Sequence, residues 1–128
     1  MEKQKIGYFD HEKWDVYHAA LEFVVLMSSL VENLPRGKAY LADQLQRAAS
    51  SIPLNIAEGA GENAISEKAR FYRMAKRSAT ECSSILDVSL RLKLVDENLY
   101  ARGRELLLRI VAMLTKMGKA ETSYSCPK

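Results

Sequence analysis

Proline and glycine are scarce in this sequence: its 128 residues include three prolines and six glycines. An all-β domain places these two residue types at many of its turns, so their scarcity argues against that fold class. Long apolar runs are also missing, and none approaches the roughly 20 residues that a helix needs to cross a bilayer. Because no apolar segment follows the charged N-terminal residues, we expect no signal peptide, no membrane contact and a cytoplasmic location.

Side chains that bind metals or act as nucleophiles are few as well. The two histidines, His11 and His18, would lie about 10 Å apart along a helix, too far to share one metal ion. Cys82 and Cys126 form no CxxC motif, and we expect a reduced, structural Cys82. Neither a nucleophile elbow nor a pair of Glu-x-x-His motifs is present. We therefore predict no catalytic residue, no metal and no cofactor, and expect that the protein is not an enzyme.

Apolar residues recur at steps of three and four along most of the chain, which is the period of amphipathic helices. The predicted helices span about residues 10–34, 39–58, 66–92 and 96–119. They belong to one domain, residues 1–128, with a flexible arm over 1–9 and a loose tail over 120–128. Short connections make consecutive helices antiparallel neighbours, so the expected fold is all-α: an antiparallel up-down-up-down four-helix bundle.

Particular residues are expected to begin the helices and to separate them. Asp10 and Asp96 are the predicted N-caps of the first and fourth helices, because their side-chain oxygens can accept a hydrogen bond from a first-turn N–H. Ser66 or a neighbour is the predicted N-cap of the third helix. Pro35 and Gly37 predict a clean break between the first two helices.

The first predicted helix carries more apolar residues than one core face needs. One line is Val16, Ala20, Phe23, Met27, Leu30 and Leu34, and the other is Trp14, Tyr17, Leu21, Val24 and Val31. Such a helix is either deeply buried in its own bundle, or its second line is covered by another subunit. We favour the second interpretation, a homo-oligomer, because large uncovered apolar surfaces are rare on monomers.

The second predicted helix contains an internal proline. Pro53 lacks the N–H that would bond the carbonyl of Ala49, so the helix either kinks there or restarts with the proline in its first turn. We favour a kinked continuous helix, because the apolar line keeps its phase across the proline. Asn55 could then bond a carbonyl freed by Pro53. Gly59 suits the left-handed residue that closes a helix.

Two charged residues of this helix need partners outside it. Arg47 and Glu58 would be about 16 Å apart along the axis, so they cannot pair with each other. Each is expected to meet a charge on another helix or subunit, with Arg77 and Glu81 as the candidates.

Basic residues crowd the first half of the third predicted helix, although the net charge of +3 is only mildly basic. The members of this basic row are Lys68, Arg70, Arg73, Lys76 and Arg77. Its three arginines, Arg70, Arg73 and Arg77, follow one another at steps of three and four residues. They therefore share one face of the helix and could contact successive phosphates of a nucleic acid. Further basic residues could extend the row: Arg36, Lys38, Arg102, Arg104 and Arg109. The alternative is a solvated helix face paired with acidic neighbours.

A motif in the second predicted helix carries a family resemblance. It reads Arg47-Ala48-Ala49, then Ser51-Ile52-Pro53, then Asn55-Ile56-Ala57-Glu58-Gly59. This string resembles the signature of the four-helix-bundle proteins encoded in intervening sequences of bacterial 23S rRNA genes. That family is similar to the accessory variability determinant of diversity-generating retroelements. We interpret the distinctive members of the string as structural: Arg47, Pro53, Asn55, Glu58 and Gly59.

The resemblance covers roughly residues 11–119. Further matches stand at the family's offsets from the motif: Phe71, Ala75, Ser78 and Glu81. Three positions depart from the pattern. Arg77 replaces a small residue, Cys82 replaces a larger aliphatic, and Lys93 replaces the usual glycine after Leu92.

The resemblance implies a bundle fold, assembly into a ring of five subunits, and an association with rRNA genes or with a reverse-transcriptase system. Together with the basic row, it leads us to predict a non-catalytic, oligomeric protein that binds nucleic acid, RNA more than DNA, or acts as a scaffold. The alternative is a protein-interaction adaptor whose basic face docks an acidic partner, such as a reverse-transcriptase-like enzyme.

Overall fold

The computed structural model describes the backbone of residues 7–125 and the side chains of residues 7–119. A short 3-10 helix, Asp10–Lys13, precedes four long helices. The long helices are α1 Asp15–Glu32, α2 Ala39–Ala60, α3 Ile65–Arg91 and α4 Glu97–Ser125, and no strand occurs within the described backbone. Both α1 and α3 pack against α2 and α4, so the chain forms the predicted all-α four-helix bundle.

Of the two apolar lines of α1, the one that contains Phe23 packs into the core. Phe23, Met27 and Leu30 of this line are at most 2% exposed, and they meet buried aliphatic side chains of the other three helices. The second line lies at the edge of the core, where Tyr17, Val24 and Val31 are partly buried and Leu21 is 38% exposed. The bundle therefore buries one line of α1 and covers the other only in part.

The first long helix begins later than predicted, and Asp10 is not its N-cap. Residues 10–13 form the 3-10 turn, in which the amide of Phe9 donates a hydrogen bond to the Glu12 carboxylate at 2.7 Å. Trp14 is then extended (φ −90°, ψ 133°), so α1 begins at Asp15. The extended residue allows the Trp14 ring to pack edge-on against Tyr72 of α3, with centroids 6.5 Å apart. The interruption thus accompanies a tertiary contact between the start of α1 and α3.

The second helix continues without a break through Pro53, so a restart at the proline is wrong. Asn55 does not bond the carbonyl of Ala49 that the proline leaves without its N–H partner. Its amide nitrogen donates instead to the carbonyl and to the hydroxyl of Ser51, at 2.8 and 2.9 Å. The reason is geometric, since Ser51 is four residues before Asn55 and lies on the same face of the helix.

The predicted role of Gly59 as a left-handed terminator is also wrong. Gly59 lies inside α2, which ends one residue later at Ala60, and its φ is not positive. A β-carbon at this position would lie 2.6 Å from Cε1 of Tyr72 and 3.1 Å from Cβ of Phe71. The glycine is therefore needed because α3 approaches the backbone of α2 too closely for any side chain.

The other helix boundaries are partly as expected. Asp96 caps α4, accepting a hydrogen bond from the amide of Leu99 at 2.8 Å, as predicted. Ser66 is not a cap: α3 starts at Ile65 after an extended Ala64, and no side chain bonds its first turn. Between α1 and α2, Gly37 has a φ of +91°, a conformation in which glycine carries no steric penalty.

The end of α3 requires a left-handed residue at position 93. The amide of Leu94 bonds the carbonyl of Ser89 at 2.8 Å, and the amide of Lys93 bonds that of Leu90 at 3.0 Å. These two bonds form a Schellman motif, which requires a left-handed residue at its turn. Lys93 occupies that position with φ 61°. Any residue with a β-carbon is sterically disfavoured in this conformation, and lysine is no exception.

The last helix is longer than predicted. The backbone of α4 remains helical to Ser125, so residues 120–125 are not a loose tail. The rest of the predicted tail, including Cys126, lies outside the described residues, as do residues 1–6 of the predicted arm. None of the helices over the described residues has an apolar stretch long enough to cross a membrane.

Candidate nucleic-acid interface

Lys68, the first member of the basic row, serves the end of a neighbouring helix. Its ammonium group donates to the carbonyl oxygens of Ala60 at 3.0 Å and Gly59 at 3.3 Å. The last carbonyls of a helix lack partners and carry the negative end of its dipole, so a lysine is favoured there. Lys68 therefore joins α3 to α2, which makes it a weaker candidate for the predicted phosphate contact than the exposed arginines of the row.

Arg70 also has partners within its own helix. Its guanidinium group donates to the Glu67 carboxylate through Nη2 at 3.0 Å and through Nε at 3.1 Å. It also lies 4.7 Å from the centroid of the Phe71 ring. The hydrogen bonds to Glu67 raise the pKa of Arg70. Since the carboxylate offsets its charge, Arg70 is a weaker candidate for a phosphate contact than the sequence indicates.

The remaining three members of the row form no ion pair with any described side chain. Arg73 and Arg77 are exposed and Lys76 is partly buried, all within two turns of α3. Arg73 and Lys76 lie on the rim of a depression between α3 and α4, which we call the α3/α4 groove. Its floor is formed by Ala69, Tyr72 and Leu114, and Lys119 stands on its α4 side. The groove therefore combines an apolar floor with cations on both rims.

The predicted extensions of the row lie elsewhere. Arg102 pairs with Glu22 of α1 at 3.3 Å. Arg104 lies beside Tyr100, whose hydroxyl donates to Asp87 at 2.6 Å near the far end of α3. The bond to Asp87 raises the pKa of Tyr100, and Arg104 opposes this shift.

The loop residues Arg36 and Lys38 lie at the end of the bundle where α3 finishes, because α1 and α3 run in the same direction. Arg109 is exposed on α4 but does not line the α3/α4 groove.

Sequence reasoning missed the lysines that do extend the basic surface. Lys119 shares the α3/α4 groove with Arg73, and Lys116 lines the adjoining pocket. The signal was present, because antiparallel pairing of consecutive helices places the end of α4 beside the beginning of α3. Had this pairing been used to choose residues, it would have predicted that Lys116 and Lys119 extend the basic row, and not Arg102 and Arg104.

The motif residues of α2 do not gather at a ligand site. Arg47 pairs within its own helix with Asp43, at 3.7 Å and with both side chains about three-quarters exposed. No described side chain on another helix pairs with it, and a partner on another subunit stays a prediction. Glu58 is exposed, beside neither Arg77 nor another described cation within ion-pair distance. Ser51 bonds the hydroxyl of Ser78 on α3 at 2.9 Å. With Asn55 donating to Ser51, this forms a polar bridge that ties α2 to α3.

A second surface carries the opposite charge. The 3-10 helix and the end of α2 enclose a shallow depression that we call the acidic shelf. Its charged members are Asp10, Glu12, Glu58 and Glu62, and its apolar members include Phe9 and Leu54, 73% and 64% exposed. The acidic shelf is therefore a surface of opposite charge to the α3/α4 groove.

The remaining titratable candidates have structural surroundings. Cys82 is a free thiol in the core, and its burial raises its pKa to about 12, which leaves little reactive thiolate at neutral pH. His11 packs edge-on against Tyr17 at 4.7 Å, and Nε2 of His18 bonds the carbonyl of Glu12 at 2.7 Å. Over the residues with described side chains, no three potential metal ligands come together.

These features define an antiparallel four-helix bundle with a basic groove between its last two helices. The chain belongs to the family of 23S rRNA-intervening sequence proteins, whose model matches residues 12–116. A solved structure of a protein of unknown function from the S23 ribosomal protein family of Bacteroides thetaiotaomicron has the same fold. The two superpose with a TM-score of 0.76 at 22% sequence identity, over 81% of this chain and 98% of the other. Comparison with curated proteins gave no significant match.

Proposed function

We propose that this chain is a non-catalytic, oligomeric protein of the cytoplasm that binds nucleic acid, RNA in preference to DNA, through the basic surface of α3 and α4. The observation that carries the proposal is that Arg73, Lys76 and Arg77 line one depression and form no ion pair with a described side chain, although Glu81 lines the same depression. Unpaired cations along one helix face can neutralise successive backbone phosphates. Lys119, across the α3/α4 groove, widens the same surface.

The oligomeric part of the proposal rests on uncovered apolar side chains. Val25 on α1 is 69% exposed, and Leu54 on the acidic shelf is 64% exposed beside Phe9. Placing such residues against a second copy removes apolar surface from water, which stabilises the assembly by about 25 cal/mol per Å² buried. A ring is one arrangement that repeats a single heterologous contact until it closes.

A charge-reversal experiment tests the nucleic-acid part. The variant Arg73→Glu/Arg77→Glu should lose most RNA binding at low salt, measured by fluorescence anisotropy with a labelled RNA. The matched control, Arg36→Glu/Arg109→Glu, makes the same change in net charge at exposed residues outside the groove and should retain binding. In the wild-type protein the logarithm of affinity should fall linearly with the logarithm of salt concentration, with a slope of about 0.7 for each phosphate contacted in a single-stranded RNA. Equal affinity of the two double variants would remove the α3 residues from the proposal.

Light scattering on the same proteins separates the alternatives. The wild type should have the mass of several subunits, and the groove variant should keep that mass. A loss of mass in Arg73→Glu/Arg77→Glu would instead assign the basic surface to contact with another copy, for which the acidic shelf is the complementary surface. Capture of an acidic protein that survives nuclease treatment would favour the adaptor function.

A further inference from the structure

The cavity beside the α3/α4 groove is lined by aromatic and apolar side chains, which phosphate binding alone does not require. It lies between the beginning of α1 and the last part of α4, and we call it the Trp14 pocket. Its apolar walls are Trp14, Tyr72, Met113 and Met117, and Lys13 and Lys116 stand at its edge. A site that combines aromatic and thioether walls with nearby cations fits a flat, apolar group attached to an anion.

The fold exposes the tryptophan to this pocket by interrupting a helix. Trp14 is the extended residue between the 3-10 helix and α1, and its ring is held edge-on to Tyr72. Trp14 is only partly buried, whereas Tyr72 is 2% exposed and forms part of both the Trp14 pocket and the α3/α4 groove. The indole is therefore supported from behind by a fixed ring, while part of it remains accessible.

The two cavities form one continuous surface around Tyr72. Cations follow it from Arg73 and Lys76 through Lys119 to Lys116 and Lys13. Asp15 is the acidic residue of the pocket, and it stands against two lysines there. This excess of positive charge disfavours a second copy of the same basic surface as the occupant and favours a polyanion.

We propose that the Trp14 pocket receives an unstacked base of a single-stranded nucleic acid whose phosphates lie along the α3/α4 groove. The inference rests on the proposed function and narrows it to single strands. In a duplex the bases are stacked and paired, so a base can enter the pocket only at the free-energy cost of unstacking and unpairing it. Proteins that bind single strands combine a cationic track for the backbone with aromatic side chains for the bases.

Trp14 is the sole tryptophan of the chain, so its fluorescence reports on this pocket without labelling. The probes are a short oligouridylate, a strand of equal length and charge in which abasic sites replace the bases, and an RNA duplex of equal length. Binding of each is measured independently by anisotropy. We expect the oligouridylate to change the Trp14 emission and to bind about tenfold more tightly than the abasic strand, the effect typical of one base stacked on an aromatic side chain.

The outcomes are distinguishable from those of the charge-reversal experiment. If the oligouridylate, abasic strand and duplex bind with equal affinity and leave Trp14 emission unchanged, the base pocket is overturned and the phosphate surface survives. If none of them binds, both proposals fail together.

Variants of the tryptophan sharpen the result. Trp14→Ala should reduce the ratio between the oligouridylate and abasic affinities to near one, and Trp14→Phe should retain most of it. Circular dichroism shows whether each variant folds. If Trp14→Ala does not fold, the ratio of oligouridylate to abasic-strand affinity in the wild-type protein tests the proposal. A Trp14→Ala protein that folds and keeps the tenfold ratio would overturn the proposal.

Discussion

The two flanks of α3 meet their neighbours in different ways. Against α2 the contact is tight and specific, with Gly59 under the Tyr72 ring, the Ser51–Ser78 hydrogen bond, and Lys68 on the last carbonyls. Against α4 the packing opens toward the end of the bundle into a groove lined by Arg73, Lys76 and Lys119. One basic stretch of sequence therefore supplies a structural lysine on one flank and unpaired cations on the other.

This difference shows why clustering of charge is a poor guide to which charges bind a ligand. Lys68 and Arg73 belong to the same basic row, yet one satisfies helix carbonyls and the other has no described acidic partner. Their roles depend on the helix each side chain faces, because a cation beside an unsatisfied acceptor is engaged before any ligand arrives. The row is best regarded as two groups with different partners.

The largest expected effect on stability comes from adding a methyl group where α3 packs most closely against α2. In a helix interior, Gly→Ala normally stabilises by about 0.5–1 kcal/mol, because alanine loses less backbone entropy on folding. Gly59→Ala should instead lower the free energy of unfolding by about 1–3 kcal/mol, because the new methyl group overlaps the Tyr72 ring. Urea denaturation measures the difference.

Gly61→Ala is the matched control, since a β-carbon there would be 3.7 Å from its nearest neighbours and the residue is already in the right-handed helical region. It should leave stability unchanged or slightly raised. If Gly59→Ala is as stable as Gly61→Ala, the two flanks of α3 do not differ in the way described.

A second comparison exchanges one cation on each flank for an uncharged side chain of similar length. Lys68→Met should lower the free energy of unfolding by about 0.5–1 kcal/mol, because the helix-end carbonyls lose a charged donor. Arg73→Gln should change stability by less than about 0.5 kcal/mol and should reduce the salt dependence of RNA binding by about one phosphate contact. Denaturation and salt titration are made on both proteins, and the reverse assignment of the two effects would contradict the division of the basic row.

The remaining prediction concerns the connection from α3 to α4. Lys93 holds the left-handed position of a Schellman motif, a position that glycine occupies without steric cost. Lys93→Gly should raise the free energy of unfolding by up to about 1 kcal/mol, because relief of the positive-φ strain exceeds the extra entropy that glycine gives the unfolded chain. Thermal denaturation detects the change, and a lower midpoint would show that the lysine is not strained there.

Local sequence patterns were sufficient for the four helices, the inner line of α1 and the cap at Asp96. Each of these depends on residues within a few positions of one another, through apolar spacing or a hydrogen bond to the next turn. Two of the failures have a different cause. Trp14 interrupts the first helix beside Tyr72, and Gly59 lies beneath the same ring, so each depends on a residue far away in the sequence.

The same distinction applies to the candidate interface. The sequence by itself determined that basic residues share one face of α3, because the helical repeat sets their directions. Only the tertiary structure decided that Lys68 bonds the end of α2, that Arg102 pairs with α1, and that Lys116 and Lys119 complete the basic surface. The physical reason is that a helix fixes where its own side chains point, whereas their partners depend on how neighbouring helices pack.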